Sequence, residues 1–232
     1  MRIKALRART TIIAVAIACV ALILFLGLYT WYVKHTASTM LHTLMELRPG
    51  LSSSADAERY VRRFRRYLLS HDCDKSGCRY EFRIKNTALS RLHLEPSAAF
   101  TTGFTVRDGT VIRLGAGLVR TMDIYPTFGG SAGIVQEYSE FPEFYSSQSH
   151  YTFPTPIGKP YLMVKLDSHA SAEERKHAFE FSFRCLTKLG GGCDLPCDYL
   201  PSAWRDWKVD LQTSGFPMSD FNQTYRRNER CN

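Results

Sequence analysis

The sequence predicts an α+β protein in which a single N-terminal transmembrane helix precedes an extracytoplasmic domain built on an antiparallel β-sheet. Three observations lead to this fold class. One long apolar run lies near the N-terminus, apolar and polar residues alternate as in strands in the middle of the chain, and helical apolar spacing occurs near both ends of the remaining chain. The sheet is therefore expected to be flanked by an N-proximal and a C-proximal helix.

The first element is an apolar run from Thr11 to Val33 that contains no charged side chain. At about 1.5 Å per residue this helix would span about 35 Å, which is enough to cross a hydrocarbon core of about 30 Å. A cleaved signal peptide has a shorter apolar region of about 7–15 residues, and residues 34–38 make a poor cleavage site. The run therefore predicts an uncleaved signal anchor, with a cleaved signal peptide as the alternative.

Charge sets the predicted orientation and the domain boundaries. Four Lys and Arg residues lie within residues 1–10, and only Lys34 follows the apolar run closely, so the N-terminus is expected in the cytoplasm. Residues 11–33 are then the anchor, residues 34–54 a membrane-proximal stalk or linker, and residues 55–232 the extracytoplasmic α+β domain, which would lie on the periplasmic or extracellular side if the membrane is bacterial.

The net charge excludes one class of partner. The whole chain carries +8, of which +4 lies in the first ten residues and none in the apolar run, so residues 34–232 carry only 8 − 4 = +4. A domain that binds nucleic acid usually carries a stronger basic excess. Nucleic acid is therefore not an expected partner.

Cysteine usage indicates an oxidising compartment. Cys19 lies in the apolar run, and an even number of cysteines, six, lies beyond it, which predicts up to three disulfides. Zinc bound by these thiolates with His71 nearby is the alternative, but the spacings lack the usual paired C-x2-C pattern. Neither a metal nor another cofactor is predicted. The favoured disulfide pairs are Cys73–Cys78, Cys185–Cys193 and Cys197–Cys231.

The first helix of the domain is predicted from Ala55 to Ser70, because Ala57, Val61, Phe64 and Leu68 recur at helical spacing. Five arginines lie mostly off this apolar stripe. They form either a basic face for anionic headgroups, a wall polymer or an acidic partner, or a solvated face without a partner. These arginines are Arg59, Arg62, Arg63, Arg65 and Arg66.

The middle of the chain predicts strands. Tyr80 to Ile84 and Phe100 to Val106 alternate between apolar and polar residues, and Asp108-Gly109 predicts a hairpin turn. A three-residue loop with Gly109 in the left-handed region is favoured, because it pairs Phe104 with Ile112.

The later elements are a central strand and a second helix. Tyr161 to Leu166 reads as a nearly continuous apolar strand. The Ser171-x-x-Glu174 capping box predicts the start of a helix, and this helix is expected to continue to the glycines at 190–192.

One incomplete catalytic pattern is present. Gly129 to Gly133 matches G-x-S-x-G with Ser131 as the nucleophile, and Asp167 with His169 or His177 would complete a triad. The motif needs a helix after the serine, whereas residues 134–138 read as a strand. The main hypothesis is therefore a non-catalytic binding or envelope-interaction module anchored in the lipid bilayer through residues 11–33. The alternative is a membrane-anchored envelope hydrolase that acts on a glycan or an ester.

Overall fold

A computed structural model describes residues 2–75, 77–91, 97–121, 131–137, 150–152, 161–187 and 196–213. The coarse prediction is confirmed, because the fold is mixed α+β with one long apolar helix at the N-terminus and antiparallel strands. The helices are α1 (Arg2–Glu46), α2 (Ser54–Phe64), α3 (Thr87–Arg91), α4 (Ala172–Ala178) and α5 (Pro201–Thr213). The strands are β1 (Leu68–Asp74), β2 (Gly77–Lys85), β3 (Ser97–Arg107), β4 (Thr110–Thr121), β5 (Ser131–Glu137), β6 (His150–Thr152) and β7 (Tyr161–Asp167).

Within the described residues, the seven strands form one sheet in the order β1-β2-β3-β4-β5-β7-β6. The first five strands pair antiparallel with their neighbours in sequence, and β6 is antiparallel to β7. However, β5 and β7 are parallel, so the predicted antiparallel sheet is in fact mixed. The parallel pair is feasible because residues 138–160 between the two strands are long enough for the crossover that such a pair needs.

The turn between β3 and β4 differs from the predicted three-residue loop. Asp108 and Gly109 both have positive φ, at 51° and 75°, which is typical of a two-residue type I′ turn. Arg107 pairs with Thr110 across this turn, and the register shifts one step further along. The shift passes over Ile112, so Phe104 faces Leu114 rather than Arg113. A β-bulge therefore restores the apolar pairing that the longer loop was expected to provide.

The helix predicted to reach Ser70 ends earlier, at Phe64. Residues Arg65–Tyr67 form a 3-10 turn, and the chain then enters β1, which lies at the edge of the sheet. Six of the seven β1 residues are exposed, so this strand has no alternating apolar pattern by which the sequence could reveal it. The start of α2 agrees with a capping box, formed by Ser53 and Asp56.

The core lies between one face of the sheet and the helices. The Tyr60 ring of α2 packs edge-on against Phe82 at 5.0 Å and Phe104 at 5.6 Å between ring centroids. Its hydroxyl donates to the Met40 carbonyl at 3.2 Å, so α1, α2 and the sheet meet at this residue. Burial raises the pKa of Tyr60, which keeps the hydroxyl protonated.

The segment from 34 to 54 differs from the expected stalk. Residues Val33 to Leu47 supply six buried side chains to the main core cluster, among them Met40 and Leu44, which are fully buried. Residues 50–54 pair with the start of β4, where the Gly50 amide donates to the Val111 carbonyl at 2.8 Å. The domain therefore packs directly on α1.

The C-terminal part of the domain is less helical than predicted. The Ser171–Glu174 capping box starts α4, but this helix ends at Ala178. Phe181 and Phe183 then pack edge-on against Phe100 of the sheet, which explains why the chain leaves the helix here. The second half of the predicted helix is therefore wrong, and its last residues lie outside the described part of the chain.

Candidate membrane-facing site

The long helix α1 has two halves with different surroundings. Residues 11–28 are exposed or nearly so, including Leu24 at 61% and Leu28 at 69% of their surface. Among the described residues, this is the one helix that is long and apolar enough to cross a membrane. At about 1.5 Å per residue, residues 11–28 extend for about 27 Å. This exposed apolar half is therefore close in length to a hydrocarbon core of about 30 Å.

The domain first contacts α1 directly after this apolar half. The Tyr29 and Thr87 hydroxyls share a hydrogen bond at 2.7 Å. One residue later, the Asn86 side-chain amide donates to Thr30 Oγ1 at 3.2 Å and also to the Leu186 carbonyl at 3.1 Å. These polar contacts fix the end of β2 and the start of α3 at the level where the apolar half ends.

A second contact lies three residues further along the same face of α1, where the Tyr32 ring is 6.5 Å from the Tyr29 ring between centroids. The Tyr32 and Tyr67 hydroxyls are 2.6 Å apart, and the Arg66 guanidinium lies over both rings, 5.4 Å from the Tyr32 centroid and 4.7 Å from that of Tyr67. Burial raises the pKa of Tyr67, and the hydrogen bond with Tyr32 raises it further. Tyr29, Trp31 and Tyr32 are residues of the type that concentrates in the headgroup layer. This end of the domain therefore lies at the level of the aromatic residues.

The five predicted arginines are all exposed, but the structure divides them. Arg59 forms an ion pair with Asp56 in the first half of α2. The other four follow on the last turn of α2 and the 3-10 turn, towards Tyr32, because α2 runs antiparallel to α1. The four arginines towards Tyr32 are Arg62, Arg63, Arg65 and Arg66.

Sequence reasoning missed the basic residues on β2 and α3. Arg83, Lys85 and Arg91 are exposed, and Lys85 precedes Asn86, which contacts Thr30. The signal was present in the sequence, since residues 82–91 hold three Lys or Arg and no acidic residue. However, the sequence does not show that β2 and α2 lie at the same end of the domain, because this depends on how each packs against α1. We call the seven exposed side chains at this end the basic rim, which comprises Arg62, Arg63, Arg65, Arg66, Arg83, Lys85 and Arg91.

The opposite end of the domain has a different chemistry. The start of α2 and the two hairpin turns enclose an open cleft of about 370 Å³ whose lining includes Glu58, Asp74, Lys75 and Asp108. At this end the charges are mixed. Residues 46–59 and 72–81 together hold six acidic and four basic side chains, whereas residues 62–71 and 82–91 hold seven Lys or Arg and no acid.

The Cys73–Cys78 disulfide lies beside this cleft and confirms the first predicted pair. The two residues face each other across the β1–β2 hairpin, where Gly77 adopts a φ of 125° next to the Val106 carbonyl. His71 Nε2 lies 3.3 Å from Cys73 Sγ, so the three side chains have the proximity of a metal site. Both sulfurs are held in the disulfide, so thiolate ligation would require its reduction.

The remaining predicted cysteines are only partly described. Cys19 is exposed on the apolar half of α1 as a free thiol, and Cys185 and Cys197 are disulfide-bonded. Cys193 and Cys231 lie outside the described residues, so the Cys185–Cys193 and Cys197–Cys231 pairs stay predictions.

The catalytic pattern is not assembled, because Ser131 lies far from its predicted partner Asp167. Ser131 starts β5 beside Tyr161, whereas Asp167 lies six residues further along the paired strand, roughly 20 Å away at about 3.3 Å per residue. His169 Nδ1 is 2.8 Å from Asp167 Oδ1, and His177 Nε2 is 2.8 Å from Asp206 Oδ2 on α5. Ser131 is followed by a strand, whereas a nucleophile elbow needs a helix there.

No protein-family model, no curated protein and no solved structure matches this chain. Its function must therefore be argued from its own geometry and charge. Three features meet at one end of the domain. They are the basic rim, the aromatic residues of α1 and the end of the exposed apolar half of α1.

Proposed function

We propose that the protein is a single-pass, membrane-anchored binding module whose domain lies outside the cytoplasm, directly against the membrane surface. The observation that carries this proposal is the position of the first contact between the domain and α1. Packing begins at Tyr29, immediately after an exposed apolar stretch about as long as a hydrocarbon core is thick. A helix placed across the bilayer would hold the domain against the headgroups without an intervening stalk.

The packing of α1 also supports a retained anchor over a cleaved signal peptide. The weak cleavage site at residues 34–38 lies in a helix whose Thr36 and Ala37 are buried in the domain. Cleavage there would remove Val33 from the core and the Tyr32–Tyr67 hydrogen bond with it. Each lost buried group would destabilise the domain, so a cleaved product would be less stable than the full chain.

Charge and disulfides support the proposed orientation. The basic residues that precede the apolar run favour a cytoplasmic N-terminus. The Cys73–Cys78 disulfide, in which Cys73 is exposed and Cys78 half-buried, would persist in an oxidising compartment outside the cytoplasm.

Cysteine accessibility tests the topology directly. In a Cys19→Ala background, Leu51→Cys places a thiol on the domain at a side chain that is 77% exposed, and Ala5→Cys places one before the span. Intact cells are treated with a membrane-impermeant maleimide. We expect labelling of the thiol at 51 in intact cells, and of the thiol at 5 only after permeabilisation.

The two variants control for each other, since each must be labelled in permeabilised cells. Labelling at 5 but not at 51 in intact cells would reverse the orientation. A soluble mature chain that lacks residues 1–33 would contradict the anchor. For the binding role, crosslinking in the membrane from a photoreactive residue at Arg62, compared with one at Leu51, should identify neighbours specific to the membrane-facing end.

A further inference from the structure

The position of the basic rim relative to α1 indicates one kind of partner. Arg66 lies over Tyr32, and Lys85 precedes Asn86, which contacts Thr30. The rim therefore lies beside α1 at the level where its apolar half ends. We propose that the basic rim binds the phosphate groups of anionic phospholipids in the same membrane that α1 crosses. This inference rests on the proposed function and names the partner of its binding surface.

Charge complementarity is the first argument. The two segments at this end, residues 62–71 and 82–91, hold seven Lys or Arg side chains and no carboxylate. Six of the seven are arginines, whose planar guanidinium can donate two parallel hydrogen bonds to one phosphate. Near an anionic bilayer, each such side chain strengthens the attraction about fivefold, within about 10 Å of the surface.

The exposed apolar surface at the same end is the second argument. Leu69, two residues after the 3-10 turn of the basic rim, exposes 55% of its surface. Basic residues beside an exposed leucine are typical of surfaces that lie in the headgroup layer with the apolar side chain at the acyl boundary.

The direction of the rim is the third argument. The rim lies beside one face of α1 just beyond its apolar half, where Tyr67 of the 3-10 turn contacts Tyr32 and Thr87 of α3 contacts Tyr29. A macromolecular partner would have to enter between the domain and the bilayer to reach this surface. Lipid headgroups already occupy that space when α1 spans the membrane.

The test uses the full chain in lipid nanodiscs of two compositions, phosphatidylcholine alone and phosphatidylcholine mixed with phosphatidylglycerol. Amide hydrogen exchange is followed over residues 62–70 and 83–91. We expect the anionic lipid to slow exchange in both segments by about fivefold or more, and high salt to remove the difference. Exchange over residues 46–59, at the opposite end, should be the same in both lipids.

Two triple variants with the same change in charge separate a specific surface from general charge. Arg62→Gln/Arg65→Gln/Lys85→Gln should abolish the response to phosphatidylglycerol, whereas Arg59→Gln/Lys75→Gln/Arg79→Gln should keep it. All six side chains are exposed, so neither set disturbs the core. Equal exchange in the two lipids, or an equal loss of the response in both variants, would overturn the inference.

A third arm separates lipid from soluble ligands. Inorganic polyphosphate is added to discs of phosphatidylcholine alone, as a soluble phosphate polymer. Protection by polyphosphate without protection by phosphatidylglycerol would assign the basic rim to a soluble polyanion and contradict lipid binding. Both faces of a nanodisc are accessible, so this experiment can fail while the cysteine-labelling experiment succeeds, and the reverse.

Discussion

The two halves of α1 place their apolar side chains in different surroundings. In residues 11–28 the large apolar side chains are exposed, whereas from Val33 to Leu47 they lie in the core of the domain. The first half is apolar on all sides. The second half exposes polar residues such as Lys34 and Glu46 and buries one side. One unbroken helix therefore meets the requirements of two environments, and the change occurs at Tyr29 to Tyr32.

The strongest test of this difference is the same Leu→Ala truncation in each half of α1. Leu44→Ala removes a fully buried side chain and should lower the free energy of unfolding of the domain by about 2–5 kcal/mol. Leu24→Ala, on the exposed half, should change it by less than about 0.5 kcal/mol. Chemical unfolding in detergent measures both. Equal losses would mean that the two halves do not differ in how they support the domain.

The end of the second half provides a somewhat smaller effect. The buried Arg175 donates from Nη2 to the carbonyls of Met45 at 3.0 Å and Leu47 at 2.8 Å, so a cation satisfies the C-terminus of α1. Burial lowers the pKa of Arg175, and the charge of Arg48 adds to this. Arg175→Met should cost about 1.5–3 kcal/mol of unfolding free energy. The exposed neighbour serves as control, since Lys176→Met should be nearly neutral, and comparable losses would contradict the role of Arg175.

The boundary between the halves should show coupling between two tyrosines. Tyr32→Phe and Tyr67→Phe each remove one partner of the same hydrogen bond, so each should cost about 0.5–1.5 kcal/mol. In a double-mutant cycle, the double variant should lose little more than either single variant. Fully additive losses would show that the two hydroxyls do not stabilise the boundary through each other.

The smallest expected effect concerns the N-terminal end of α2, which lies away from the apolar half of α1. Hydrogen bonds from the backbone and side chain of Ser53 lower the pKa of Asp56, so the carboxylate form is favoured in the folded state. Its contribution to stability is present above the ordinary carboxyl range near pH 4 and is lost as the pH falls through the lowered pKa. Asp56→Asn should therefore flatten the acid side of the stability profile, and Glu58→Gln on the same helix should not. Identical profiles would contradict this.

The sequence was informative where local patterns decide the structure. The apolar run, the alternation in β2 and β3, the capping box at Ser171 and the short disulfide loop of Cys73 and Cys78 all depend on neighbours within a few residues. It was uninformative where tertiary contacts decide. The exposed edge strand β1 carries no alternation, and the end of α4 depends on phenylalanines that reach the sheet.

The same distinction holds for the candidate site. The arginines of α2 were visible as a basic helical face, because their spacing is local. Four of these arginines lie at the same end of the domain as Lys85, whereas Arg59 does not. This grouping depends on α2 folding back along α1, with Tyr60 contacting Met40 and Tyr67 contacting Tyr32. No pattern in the sequence encodes that antiparallel packing. Likewise, the segment predicted as a stalk is part of the core because its apolar side meets α2 and the sheet.

The depth of two spin labels tests the central claim, that the domain lies against the bilayer with the basic rim facing it. In a Cys19→Ala background, labels are placed at Leu69→Cys, beside the basic rim, and at Leu51→Cys, at the opposite end. From Tyr32 to Glu46 the helix rises roughly 20 Å. Accessibility to a lipid-soluble and a water-soluble relaxation agent should place the label at 69 in the headgroup layer and the label at 51 in water. Equal exposure of both labels to water would contradict the account.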